Sequence, residues 1–140
     1  MTYASKTKVP IERTRNEIES TLAKYGADRF AYFTEPSKAM VVFEIAERRV
    51  RFDLPFPEGT SERVMQERRA RWRALFLCIK AKLEAVASKI ETFEEAFLAH
   101  VVLPDGQTVY QHTAPKLDAI AKGGNMQPLL PSPKSEKAKP

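Results

Sequence analysis

The stretch that decides the fold is residues 29–54, RFAYFTEPSKAMVVFEIAERRVRFDL. Two short polar interruptions, Glu35-Pro36-Ser37-Lys38 and Ala46-Glu47-Arg48, divide it into three runs rich in aromatic and β-branched residues. Such runs, bounded by turn residues, predict strands over 29–34, 39–45 and 49–54. The third run alternates cleanly. Val50, Phe52 and Leu54 point one way while Arg49, Arg51 and Asp53 point the other, because successive side chains leave a strand on opposite faces. A three-stranded antiparallel meander follows, with one buried face and one wetter face. Pro55 and Pro57 stop it, since proline cannot donate to the ladder.

Upstream, Ile11, Ile18, Leu22 and Tyr25 recur at helical spacing after Pro10, and Gly26 marks a C-terminal stop. Residues 1–9 are polar and are expected to be flexible. Downstream, Gly59-Thr60-Ser61 leads into a long helix over 62–90, ERVMQERRARWRALFLCIKAKLEAVASKI. Thr60 or Ser61 is the cap. Its apolar stripe, Met65, Trp72, Leu75, Phe76, Ile79, Leu83, Val86 and Ile90, spans about 100° of arc, which suits a helix laid on a sheet. Trp72 sits in mid-stripe and is therefore assigned to the core.

Thr92-Phe93-Glu94-Glu95 has the capping-box pattern and opens a short helix over 93–99. A small hairpin is expected from 101–103 and 108–110 around Pro104-Asp105-Gly106, then a last helix over 115–122 ended by Gly123-Gly124. Residues 132–140 read as a disordered basic tail. The expectation is one α+β domain over 10–131. It has an N-terminal helix, a three-stranded antiparallel meander, a long helix packed on the sheet, and a small C-terminal helix/hairpin region.

The 140 residues, 43% hydrophobic and 29% charged, suffice for one domain with a real core. Cys78 is the sole cysteine, so no intramolecular disulfide forms and a reducing cytoplasm is the expected setting. The opening MTYASKTKVP has no apolar leader-like run, and the longest apolar runs, 39–43 and 74–79, fall far short of the ~20 residues that span a bilayer. No membrane role is expected.

Charge is the feature that points to a partner. Segment 62–90 carries eight basic and three acidic residues, a net of +5, while the flanks are near neutral at +1 and −1. Arg63, Arg68, Arg69, Arg71 and Arg73 crowd the first three turns, where positive charge opposes the helix dipole. Two readings compete: stems that snorkel over apolar surface, or guanidinium groups that meet phosphate. A second candidate surface is the outer face of the meander, with Arg49 and Arg51. Strand parity leaves open whether Phe30 and Tyr32, or Ala31 and Phe33, accompany them; Tyr32 and Phe33 stand as the candidates. Arginine alternating with aromatic residues on an open sheet can hold unstacked bases.

The catalytic inventory is thin. His100 and His112 have no metal-ligand spacing with Cys78, and no glycine-rich phosphate loop, nucleophile elbow or HExxH occurs. No catalytic residue, metal or cofactor is expected, and the chain does not read as an enzyme.

Five stretches together are similar to a family of small, uncharacterised bacteriophage and prophage proteins. They are KVPIERTRNEIESTLAKYGADRFAYF (8–33), RRVRFDLPFP (48–57), RWRALFLCIKAKLEAV (71–86), TFEEAFLAHVVLPDG (92–106) and MQPLLP (126–131). The resemblance implies an infected bacterial cytoplasm, where small basic proteins serve genome replication and recombination or target a host machine. It carries no assigned activity and hence no residue roles. The expectation is non-catalytic binding of nucleic acid, single-stranded and without sequence preference, in phage DNA metabolism. The alternative is a protein-directed module that inhibits a host factor or joins a phage complex. A homo-oligomer that covers sheet edges is a further expectation.

Overall fold

The computed structural model describes residues 3–131. Their order is a 3-10 turn Tyr3–Lys6, α1 Ile11–Lys24, β1 Arg29–Glu35, β2 Lys38–Ile45, β3 Arg48–Pro55, α2 Glu62–Ala87, α3 Phe93–Phe97, a 3-10 turn Leu98–His100, and α4 Val109–Ala121. The architecture is the expected α+β. The tail 132–140 and residues 1–2 lie outside the described residues.

The strands form an antiparallel sheet in the order β1-β2-β3. Each hairpin has a two-residue loop, so Glu35 pairs Lys38 and Ile45 pairs Arg48. The second loop, Ala46 (φ 52°) and Glu47 (φ 64°), holds two non-glycine residues in the left-handed region, the geometry whose twist suits a hairpin. Along β2 every second residue is buried: Ala39, Val41, Phe43 and Ile45. With Val50 and Phe52 they form the inner face, which receives Ile18 and Leu22 of α1, and Trp72, Leu75, Phe76, Ile79 and Leu83 of α2. Phe97 of α3 closes the core edge-on, with ring centroids 5.9 Å from Phe43 and 6.4 Å from Phe52. Trp72 is 1% exposed, so it is core as its mid-stripe position implied.

The helix ends follow from backbone chemistry. Ser61 caps α2 by accepting from the Val64 amide, and Thr92 and Glu95 form the reciprocal capping box on α3. Gly26 and Gly123 terminate α1 and α4 in Schellman geometry: the next residue's amide reaches back to Leu22 and Ala119, respectively. At α2 the same motif uses Lys89 (φ 61°), with Ile90 donating to Ala85. The helix therefore stops at Ala87, and Ile90 lies beyond it, 77% exposed. That corrects the apolar stripe, which ends at Val86.

Two other expectations are corrected. Residues 4–7 are docked: Ala4 is buried, and Gln66 of α2 donates from Nε2 to the carbonyls of Ser5 (3.3 Å) and Thr7 (2.8 Å). The C-terminal hairpin is reduced to single bridges, Val102 with Thr108 and Val101 with Val50. Thr108 instead begins α4. Its hydroxyl accepts from the Gln111 amide while its own amide donates to Gln111 Oε1, a second capping box that turns Thr-Val-Tyr-Gln into a helix start. The helix then runs through Pro115 at the cost of one backbone bond.

Candidate interaction surface

The outer face of the sheet has three cross-strand rows of mixed character. Arg29, Glu44 and Arg49 lie side by side, then Ala31, Val42 and Arg51, then Phe33, Met40 and Asp53. Parity decides the question left open by the sequence: Ala31 and Phe33 belong to this face, and Phe30 and Tyr32 to the other. Phe33 is 62% exposed, and Met40 and Val42 are half-buried. They line a shallow groove of about 760 Å³ that Val102 and Gly106 close at one end.

The two arginines on this face differ. Arg49 places Nε and Nη2 on Glu44 Oε2 at 3.0 and 2.9 Å, and Arg29 Nε lies 3.6 Å from the other oxygen of the same carboxylate. One carboxylate thus serves two guanidinium groups, and both remain largely exposed. Arg51 is only 14% exposed in its side chain. It donates to the Gly106 carbonyl (2.7 Å) and to Gln111 Oε1 (2.8 Å), with Asp53 3.4 Å away, and so straps the C-terminal region to β3.

Tyr32 lies on the helix side. Its ring meets Trp72 edge-on at 6.5 Å, and the Arg15 guanidinium covers it at 4.4 Å. Tyr32 and Phe33 therefore cannot act on one flat partner. Arg15 was missed in the sequence because it follows no apolar spacing; only the approach of α1 to β1 places it over a ring.

The arginine block of α2 disperses in the same way. Arg68 donates to the Pro36 carbonyl (2.9 Å) and lies over Phe56; Arg69 bonds Glu62 (2.6 Å) and Gln66. Arg73 bonds Glu17 of α1 at 3.0 Å and covers the Phe76 ring. Arg71 pairs loosely with Glu67 at 3.3 Å, and Arg63 is exposed with no ion pair among the described residues. Arg63 and Arg71 border one shallow groove with Pro55, Phe56 and Pro57. Because α2 packs on the inner face, the sheet separates this block from Arg49 and Arg51.

The histidines have structural partners. His100 stacks on Phe52 at 4.0 Å, and burial, aided by the charge of Lys82, lowers its pKa below 6.5 despite opposing contributions from the Arg51 backbone and Asp53. His112 Nε2 lies 2.6 Å from Asp105 Oδ2. The Asp105 carboxyl is held below its ordinary value chiefly by the Gln107 amide, with His112 also contributing. Among the described residues no cluster of three or more His, Cys, Asp or Glu side chains could hold a metal. No helix among them is long and apolar enough to cross a membrane.

No protein-family model, curated protein or solved structure matches this chain.

Proposed function

We propose that this protein is a non-catalytic binding module that recognises another protein through the outer face of its sheet. The observation that carries this reading is the uncovered apolar platform of Ala31, Phe33, Met40 and Val42 inside a charge-balanced rim. Exposed apolar patches with polar borders mark protein interfaces. The rim sets Arg29, Lys38 and Arg49 against Glu35, Glu44 and Asp53, three charges of each sign. A surface that neutralises several phosphates needs a larger cationic surplus than this.

Binding of single-stranded nucleic acid in phage DNA metabolism is the second reading. It is supported by exposed Phe33 on the face that carries Arg29 and Arg49, and by Arg63 and Arg71 on α2. One experiment separates the two. Wild type and Phe33→Asp are immobilised, exposed to nuclease-treated bacterial lysate, and titrated in parallel with fluorescent single- and double-stranded oligonucleotides at several salt concentrations. The protein-directed reading expects a specific captured protein that is lost with Phe33→Asp, and no oligonucleotide binding. Micromolar oligonucleotide affinity that falls steeply with salt, without a nuclease-resistant partner, would overturn it in favour of nucleic acid.

A further inference from the structure

The far edge of the sheet is self-complementary, and we infer that two copies of this chain pair through antiparallel β1 strands about a two-fold axis at Tyr32. The starting point is the direction of the backbone groups. In a two-residue hairpin the residues flanking the loop form a hydrogen-bonded pair, here Glu35 with Lys38. Alternation then commits Phe33, Ala31 and Arg29 to β2 and turns the amides and carbonyls of Phe30, Tyr32 and Thr34 outward. Among the described residues no hydrogen bond reaches those outward groups. The edge of β3, by contrast, is partly covered, with the Val102 amide donating to the Arg49 carbonyl at 2.8 Å.

An unpaired seven-residue edge is a template for another strand. The sequence of β1 specifies which one. A two-fold axis at Tyr32 brings each protomer's Tyr32 opposite its partner's Tyr32, and Phe30 opposite Thr34; these positions are the ones whose backbone groups point outward. The same axis sets Arg29 opposite Glu35 and Ala31 opposite Phe33 on the outer face, in the close non-hydrogen-bonded positions. Backbone parity, charge and apolar matching therefore agree in one register. A shift of one residue fails on parity. A shift of two breaks the match between Arg29 and Glu35.

The contact is isologous, as closed dimers require. It yields a six-stranded antiparallel sheet whose outer face carries two Phe33 and two Ala31 side by side across the axis. The edge pairing needs no assumption about what that face binds.

Light scattering on the eluting full-length chain, from low to high micromolar, tests it. The expected result is a monomer–dimer equilibrium in which the Phe30, Tyr32 and Thr34 amides gain hydrogen-exchange protection as the dimer fills. Arg29→Glu and Glu35→Arg each place like charges at two symmetric sites and should weaken the dimer about tenfold. An equimolar mixture of the two should recover it as a heterodimer, because every opposed pair is then opposite in sign. Thr34→Pro removes one outward donor without touching the β1–β2 ladder and should abolish pairing, with the monomer's circular dichroism retained. A chain that stays monomeric throughout overturns the inference. So does a dimer that is indifferent to these substitutions or fails to recover on mixing.

Discussion

Arg51 of β3 donates from Nη2 to Gln111 Oε1 at 2.8 Å, and that same oxygen accepts the Thr108 amide that starts α4. One side-chain carbonyl thus completes a helix cap and anchors the helix to the sheet. Gln111→Ala removes both functions. The expected loss is about 1–2 kcal/mol in urea unfolding, from the cap together with a charge-assisted hydrogen bond. Hydrogen exchange should accelerate across α4 while the β2 amides stay protected.

Two arginines of α2, two residues apart, should behave differently. Arg73 bonds Glu17 and lies over Phe76, each partner side chain less than a third exposed, so Arg73→Ala should cost about 1 kcal/mol. Among the described residues the ion-pair partner of Arg71 is Glu67, and both side chains are more than two-fifths exposed. Arg71→Ala should change stability by less than about 0.5 kcal/mol. Equal losses in chemical denaturation would contradict this division of the arginine block.

His100 should make folding sensitive to acid. Its folded pKa lies below 6.5, the ordinary value, so between those two values the unfolded chain binds more protons than the folded one. Stability from this residue is complete above about pH 6.5 and is lost as the pH falls toward the folded value. Unfolding free energies at a series of pH values should show that decline in wild type. His100→Gln should lack it while keeping the carboxylate-linked loss at lower pH.

Three non-glycine residues, Ala46, Glu47 and Lys89, carry left-handed backbone strain, and glycine should relieve it most simply at the latter two. Glu47 (φ 64°) in the β2–β3 loop and Lys89 (φ 61°) after α2 occupy the left-handed region without being glycine. Glu47→Gly and Lys89→Gly should each raise stability by about 0.5–1 kcal/mol, net of the entropy glycine adds to the unfolded chain. Thermal unfolding of the single and double variants checks both, and the effects should add because the sites belong to separate elements.

The elements legible from the chain alone are those whose signals are local. Val50, Phe52 and Leu54 against Arg49, Arg51 and Asp53 define a half-buried strand with no outside information, and Thr92 with Glu95 defines a helix start. The α+β class and the burial of Trp72 were legible for that reason. Thr108-Val109-Tyr110 misled because β-branched and aromatic residues favour a strand, while Gln111, three residues after Thr108, carried the same capping signal already recognised at Thr92. The docked residues before Pro10 were illegible because Gln66, which holds them, is some sixty positions away.

The candidate surface was decided by tertiary structure. Charge density along one helix marks 63–73 as a block, yet Arg69, Arg73 and Arg68 turn to Glu62, Glu17 and Pro36, while among the described residues Arg63 and Arg71 keep exposed, loosely held charge. A guanidinium group is long, and which acceptor it finds depends on which elements the fold brings within reach. Parity works the other way. The sequence left Phe33 and Tyr32 as equal candidates, and the hairpin register assigned Phe33 to the open face and Tyr32 to Arg15 and Trp72. Local periodicity specifies which residues share a face; only the packing of α1 and α2 specifies which face stays open.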